Sequence, residues 1–280
     1  MKTLLLLNRF RWYQRWPLKA AVFGLTVLAV CFPHPGVLVR HIRHWQDPNA
    51  LIDADSPALA PLIAELEPKM AAPMEPAQAL KTVEQFVYKK IPYEWDWNTW
   101  GTADYMPTVE EAISMGREDC DGRAVVAASL LTRFGFESQI VTDFSHCWVK
   151  TDRGDTMAPG SPNAIVGEHG GLRVNYAALA ELPRALAYGI AVFPFGREMI
   201  IVLVGWYLML RSRGGKVCGL CALVFMVNGL LLLRAGGREY LHPSWLLQWA
   251  GLANFGLGGL ALAVFGAINA RRWAPADVIV

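Results

Sequence analysis

The hydrophobic residues of this chain are concentrated at its two ends, and a more polar segment lies between them. Residues 20–39 are apolar apart from Thr26 and His34, and three further apolar runs follow residue 185. These runs cover about 193–210, 217–233 and 245–269. Because about 20 apolar residues are enough for a helix to cross a bilayer, the pattern predicts four transmembrane helices, with a soluble domain after the first.

Basic residues stand where this topology has its cytoplasmic segments: before the first run, between the second and third, and after the fourth. They are Lys2, Arg9, Arg11, Arg15 and Lys19, then Arg211, Arg213 and Lys216, then Arg271 and Arg272. Because cytoplasmic loops carry an excess of Lys and Arg, we expect a multi-pass protein of a bacterial-type cytoplasmic membrane with both termini inside. A cleaved signal peptide is the alternative for the first run, but no small-x-small site follows it.

The polar segment begins with residues 40–76, whose many prolines are typical of a linker with short helical pieces. Residues 77–91 are predicted to form an amphipathic helix. Thr108 and Glu111 are placed as a capping box for a short helix that ends at Gly116. The chain therefore divides into an N-terminus and first transmembrane helix (1–39), the linker (40–76), a soluble domain (77–184) and three transmembrane helices (185–280).

A cysteine stands at the predicted start of the next helix. The sequence Asp119-Cys120-Asp121 precedes an apolar run of period 3.6 that ends at Gly135. The outward N–H groups and the macrodipole of a first helical turn stabilise a thiolate, which is the reactive form of cysteine. The two flanking carboxylates oppose this effect unless their charges are paired or turned aside.

A histidine follows at a position that suits a cysteine nucleophile. The pattern predicts a strand at 137–142, a second strand that carries His146, and a turn at 152–155. A helix that begins with Cys120 and packs on these strands would bring the imidazole beside the thiol, as a Cys–His pair requires. Residues 161–171 are predicted to form a loop.

Several short motifs appear in a particular order: an Asp- and Trp-containing segment, a proline-led short helix, Asp-Cys-Asp at a helix start, a closing glycine and a His-x-Trp strand. They are residues 93–97 with Trp100, 107–111, 118–124, Gly135 and 146–148. From Thr82 to about Gly160 the chain thus resembles the transglutaminase-like (papain-related) cysteine enzymes. The resemblance implies an α+β transglutaminase-like fold, with Cys120 as the nucleophile and His146 as the general base.

The resemblance implies a membrane-anchored peptidase or amidase that acts on peptide or protein substrates outside the cytoplasmic membrane. Hydrolysis is favoured over transamidation, because bacterial members are more often peptidase-like. The family places an Asp on the strand after the histidine, where this chain has Ala158. A shifted register could bring in Asp155, or Asn163 as the alternative. If neither orients the imidazole, the domain is a degenerate scaffold or accessory subunit of a membrane complex.

Other residues of the chain have two interpretations each. Trp97, Trp100 and Trp148 could line a substrate cleft or pack beneath the nucleophile helix. Cys147 is expected in the core, with a Cys120–Cys147 disulfide as the alternative. Glu198, beside Arg197, is expected at the solvated membrane boundary rather than at a functional site.

The composition narrows the classes of partner. The net charge is +2, and the basic residues cluster at the predicted membrane edges, which excludes a nucleic-acid interface. Membrane lipid, a peptide substrate and other subunits of a membrane complex are the expected partners. Cys218 and Cys221 have the spacing of a redox or metal motif, but small residues between packed helices explain them better. No metal or organic cofactor is implied.

Overall fold

The computed structural model describes residues 12–71, 73–143, 146–157, 165–168, 171–174, 179, 182–210, 216–238 and 244–272. Contacts along the chain divide it into two compact units. One unit, called here the central unit, is residues 32–185. The other, called the helical unit, combines residues 1–31 with residues 186–280.

The described part of the central unit contains helices and a small sheet. Its helices are α2 (Pro35–Gln46), α3 (Ala60–Met70), α4 (Pro76–Lys90), α5 (Asp96–Thr99), α6 (Val109–Met115) and α7 (Cys120–Arg133), with 3-10 turns at Pro48–Leu51 and Pro57–Leu59. The strands are β1 (Ser138–Thr142), β2 (Cys147–Thr151), β3 (Gly154–Thr156), β4 (Ile165–Glu168) and β5 (Gly171–Val174). Helix α1 (Trp12–Cys31) precedes them in the chain, and α8 (Leu182–Val192), α9 (Phe195–Met209), α10 (Lys216–Gly237) and α11 (Trp245–Arg272) follow.

The sheet is antiparallel, in the order β3-β2-β1-β4-β5. Strand β1 pairs with β2 in a register that sets Thr142 opposite Cys147, so the segment that joins them is short and carries His146. Strand β4 lies within residues 161–171, which the sequence predicts as a loop, and β5 begins at the last residue of that segment. The α+β class predicted from the sequence is therefore present, as helices and a small antiparallel sheet beside apolar helices.

Helix α7 is the centre of the core. It contacts α4 and α6 as well as strands β1 and β2, and every residue from Ala124 to Leu131 is buried. A helix that is covered on all sides must carry small side chains on several of them, because its neighbours pack closely against it. This explains the run of alanines and valines. The predicted ends hold as well, because Gly135 has φ = 84° and terminates the helix.

The helix before α7 has the capping that the sequence predicts. The Thr108 hydroxyl accepts a hydrogen bond from the Glu111 N–H at 3.2 Å, and the Glu111 carboxylate accepts one from the Thr108 N–H at 3.0 Å. Gly116 ends the helix with φ = 70°. The predicted helix over 77–91 is confirmed as α4.

Residues 40–76 differ from the predicted linker. Leu51, Leu59 and Leu66 are buried and belong to the same hydrophobic cluster as α7. Four prolines of this segment stand in first turns, where a missing N–H costs no hydrogen bond: Pro48, Pro57, Pro61 and Pro76. They mark where the predicted short helical pieces begin, whereas Pro68 lies inside α3.

The apolar helices differ in whether each is long and apolar enough to cross a membrane by itself. Residues 217–237 and 245–265, in α10 and α11, are long and apolar enough to cross a membrane. Two further helix pairs, α1 with α2 and α8 with α9, satisfy the criterion only as pairs, each bent by more than 40° at a short break. The structure therefore holds two candidate spans, or up to four if each bent pair counts as one.

The first predicted span needs correction. Residues 20–39 do not form one continuous helix, because α1 ends at Cys31 and α2 begins at Pro35. Prolines at 33 and 35 lack the N–H groups that would continue the helix. The second of these helices belongs to the central unit, where His44 Nδ1 lies 2.6 Å from the Met106 carbonyl oxygen.

In the helical unit, α10 and α11 pack through glycines. A Cβ added at Gly229 would lie 2.7 Å from the Gly251 carbonyl oxygen, and one at Gly258 would lie 2.7 Å from the Ala222 carbonyl oxygen. Such close backbone approach is typical of helix pairs in membranes.

The expectation that Glu198 is solvated at the membrane boundary is wrong. Glu198 is 6% exposed and forms an ion pair with Arg234 at 2.5 Å.

Candidate functional site

Cys120 is the first residue of α7, as the sequence predicts. Asp119 caps the helix, with its Oδ1 accepting a hydrogen bond from the Asp121 N–H at 3.0 Å. The Cys120 thiol donates to Asp121 Oδ1 at 3.5 Å. The Cys147 backbone lies near its sulfur. The half-buried thiol therefore lies against the residue that directly follows His146.

A cluster of acids surrounds this helix start. Asp96, Glu118 and Asp119 are all buried, and one carboxylate oxygen from each lies within 4.8 Å of the others. The Trp100 indole donates to Glu118 Oε1 at 2.8 Å, and the Tyr105 N–H donates to Asp96 Oδ2. The other oxygens of Asp96 and Glu118 are buried and have no hydrogen-bond partner within the described residues.

The acids of this cluster favour their protonated forms. Burial, with the charge of Asp119, raises the pKa of Glu118 to about 8. Burial, with the charge of Asp104, raises the pKa of Asp119 to about 7. Burial also raises the pKa of Asp96 and Asp121 well above the usual range of an aspartate. Because the cluster holds protons near neutral pH, it carries less negative charge than its composition indicates.

The same surroundings act on the thiol. Burial, followed by the charges of Asp121 and Asp119, raises the pKa of Cys120 well above that of a free cysteine. The expectation that the helix start yields a resting thiolate is therefore wrong, because desolvation and the flanking acids outweigh the macrodipole. Cys120 needs a base to give up its proton.

His146 is held by the short connection between β1 and β2. The backbone N–H of His146 donates a hydrogen bond to Asp143 Oδ1 at 2.8 Å, and its backbone carbonyl oxygen accepts one from the Asp143 backbone N–H at 2.9 Å. The imidazole lies parallel to the Trp148 ring, with 6.3 Å between ring centroids. Its Nε2 atom lies 3.0 Å from the carbonyl oxygen of Met157. No hydrogen bond joins His146 to Cys120 in the part of the chain that the structure describes.

The two residues predicted as a third catalytic member are not seen beside the imidazole. Asp155 is exposed on β3 opposite Lys150, whereas its neighbour Thr156 is buried, as expected for alternating sides of a strand. Among the described residues no hydrogen bond joins Asp155 to His146. Asn163 and Ala158 lie outside the described residues.

The predicted substrate-binding tryptophans have structural contacts. Trp148 is 2% exposed and belongs to the core. Trp100 holds Glu118, and its ring centroid lies 4.6 Å from that of Tyr105. Trp97 is half-buried and stacks on Trp95, with 4.8 Å between the ring centroids.

Both cysteines of the central unit are free, so the alternative of a Cys120–Cys147 disulfide is not formed. The Cys147 thiol is buried, as expected. Its burial, followed by the charge of Asp121, raises the pKa of this thiol well above that of a free cysteine.

The sequence analysis missed an arginine near the thiol. Arg123 lies one turn beyond Cys120, with its guanidinium 4.9 Å from the Tyr88 ring centroid and 5.0 Å from that of Tyr93. Its Nε donates to the Ile91 carbonyl oxygen at 2.9 Å. The sequence does contain a signal for this residue, because Arg123 directly follows Asp-Cys-Asp-Gly. A cation so close to the helix start is expected to interact with groups near the thiol.

Two sets of side chains have spacings that could hold a metal ion. They are Asp96 with Glu118 and Asp119, and Asp119 with Cys120 and Asp121. Oxygen-rich sets of this kind suit hard cations such as Ca²⁺. The raised pKa values show that protons can occupy the same acids instead.

No protein-family model, curated protein or solved structure matches this chain. The interpretation of the site therefore depends on the geometry of the residues themselves.

Proposed function

We propose that the central unit is a transglutaminase-like thiol hydrolase that cleaves peptide or amide bonds outside the cytoplasmic membrane. The single observation that carries this proposal is the orientation of His146. Its Nε2 faces the Met157 carbonyl oxygen, so that nitrogen bears the proton and Nδ1 is the nitrogen that can accept one. His146 directly precedes Cys147, whose backbone lies near the Cys120 sulfur.

In the proposed reaction the Cys120 sulfur attacks the substrate carbonyl carbon while His146 Nδ1 takes the thiol proton. The C–N bond then breaks, and the imidazolium returns that proton to the departing amine. Water, deprotonated by the same imidazole, attacks the thioester and releases the acid and the thiol. A resting thiol with a raised pKa suits this sequence, because proton removal is coupled to attack.

The membrane topology belongs to the same proposal. With both termini cytoplasmic, the Cys120 domain lies outside the membrane between the first and second spans, and the apolar helices anchor it there. The two apolar helices α10 and α11 support membrane attachment. Substrates would then be peptides or proteins of the extracytoplasmic space.

The proposal is tested with p-nitrophenyl acetate, an activated acyl donor, on the full chain purified in detergent. We expect a burst of about one p-nitrophenolate per chain and acetylation of Cys120, identified by mass spectrometry. His146→Ala should slow the burst by about 10²-fold or more, the contribution of a general base. Cys221→Ser, at an exposed free cysteine of the helical unit, is the matched control and should keep the burst. Acetylation at several cysteines alike, or a burst independent of His146, contradicts the proposal.

A second candidate function has one observation in its favour. The raised pKa of Cys120 is what an inert, buried thiol shows, so the central unit could instead be a catalytically degenerate scaffold within a membrane complex. The two candidates differ in the same experiment, because a scaffold gives no burst at Cys120. Copurification of the His146→Ala protein with the same partner subunits as wild type would then support the scaffold.

A further inference from the structure

The imidazole of His146 is oriented by a backbone carbonyl group where the related enzymes would use a carboxylate. A carbonyl oxygen only accepts hydrogen bonds, so the 3.0 Å contact with Met157 requires Nε2 to carry a proton. The position of one peptide group therefore selects the tautomer whose Nδ1 can act as a base.

That peptide group has a backbone conformation that needs support. Met157 has φ = 69°, the one positive φ of a non-glycine residue in the described part of the chain. Side chains disfavour this left-handed region, so the conformation persists only where surrounding contacts hold it. Met157 is also buried, 3% exposed, so solvent does not supply those contacts.

Glu84, on α4, supplies them. Its Oε2 atom accepts a hydrogen bond from the Met157 N–H at 3.1 Å and another from the Thr156 hydroxyl at 2.8 Å. The same hydroxyl lies 3.4 Å from the Leu80 carbonyl oxygen, one turn earlier on α4. One carboxylate oxygen thus fixes both residues at the end of β3, where the chain turns toward the imidazole.

We propose that Glu84 is the positioning residue of this site. It takes the role of the Asp that the family places after the histidine, but it acts through the Met157 peptide group and does not contact the imidazole directly. It holds the Met157 peptide, the Met157 carbonyl holds Nε2 of His146, and Nδ1 is thereby presented as the base. This inference rests on the proposed function of Cys120 and His146. It explains how the pair keeps an oriented imidazole although no hydrogen bond joins Asp155 to it among the described residues.

The test compares Glu84→Ala with Glu84→Gln in the full chain, by the p-nitrophenyl acetate burst between pH 6 and 9. Glu84→Ala should lower the limiting acylation rate by about ten- to a hundredfold, a part of what a general base contributes, without changing the half-saturating ester concentration. Glu84→Gln should stay within about threefold of wild type, because its amide oxygen can accept both hydrogen bonds.

The burst amplitude separates positioning from loss of folded protein. A misplaced imidazole keeps the amplitude of about one p-nitrophenolate per chain and lowers the rate constant of the burst. A structural defect would lower the amplitude and leave the rate constant of the remaining folded protein unchanged. If Glu84→Ala matches wild type while His146→Ala loses the burst, the inference is overturned and the proposed function stands. If His146→Ala also matches wild type, the proposed function itself fails.

Thr156→Val provides a second variant if Glu84→Ala does not fold. It removes the hydroxyl that donates to Glu84 and keeps the β-branched shape on β3. We expect a smaller loss of rate, about three- to tenfold, with an unchanged burst amplitude. A Thr156→Val protein with the burst rate of wild type would also overturn the role of Glu84.

Discussion

Both units of the molecule bury carboxylates, but they neutralise them differently. In the helical unit Glu198 is paired with Arg234, whose guanidinium also donates to the carbonyl oxygens of Ile190 and Phe193 at the break between α8 and α9. In the central unit Glu118 and Asp119 lie among other acids, and their pKa values rise toward neutrality. A cation gives a fixed structural contact, whereas protons give a site that titrates.

Removing the cation should have the largest effect. Arg234→Ala leaves Glu198 buried without its partner and frees two carbonyl groups, so we expect the helical unit to lose about 3–5 kcal/mol of stability. Thermal unfolding of the detergent-solubilised protein measures the loss. The matched control is Arg234→Met with Glu198→Gln, which removes both charges and should recover most of it. An Arg234→Ala protein as stable as wild type would show that the pair is not structural.

The acids of the central unit should make its stability depend on pH. Glu118 and Asp119 have raised pKa values, so the native state binds more protons than the unfolded chain between about pH 4 and 8. The contribution of these two acids to stability is therefore full below about pH 4, and it is lost progressively as pH rises through 7 and 8, by several kcal/mol in all. Unfolding midpoints at pH 5.5, 7 and 8.5 measure this slope. Glu118→Gln should flatten it, and a stability that rises with pH would contradict the assignment.

A smaller effect concerns the glycine beneath this cluster. A Cβ at Gly122 would lie 2.6–2.8 Å from the Glu118 side chain, which the Trp100 indole holds in place. Gly122→Ala should therefore cost about 1–3 kcal/mol, although alanine is the better helix former. Chemical denaturation measures the cost, and adding Glu118→Ala should reduce it. Gly36→Ala on α2 is the control, because a Cβ there meets nothing within 4 Å. Equal effects of the two alanines would exclude the steric explanation.

The sequence predicted the elements whose signals are local. The cap at Thr108, the glycine stops at 116 and 135, and the start of α7 at Cys120 follow from neighbouring residues. The prolines before residue 76 predict a linker with short helical pieces, because proline is common in linkers and at helix starts alike. They do not show that this segment packs into the core. Whether Leu59 and Leu66 are buried depends on tertiary contacts that this pattern does not contain.

Only part of the candidate site could be predicted from the sequence. Cys120 and His146 were predicted as candidates because their side chains are distinctive. Every residue has a carbonyl group, so nothing in the sequence marks the one at Met157. The Glu84 contact with Met157 spans 73 residues and needs the fold to bring α4 to β3. The raised pKa of Cys120 likewise depends on burial, which outweighs a helix dipole that can be predicted locally.

The central claim is that Cys120 and His146 act as a nucleophile and its base, and the alkylation rate of Cys120 by iodoacetamide tests it most directly. The rate is followed by mass spectrometry from pH 5.5 to 9.5 in wild type and His146→Ala. We predict that wild type reacts at least about tenfold faster at neutral pH, and that the variant becomes reactive only above the value of ~8.5 for a free cysteine. Superimposable curves for the two proteins would contradict the account.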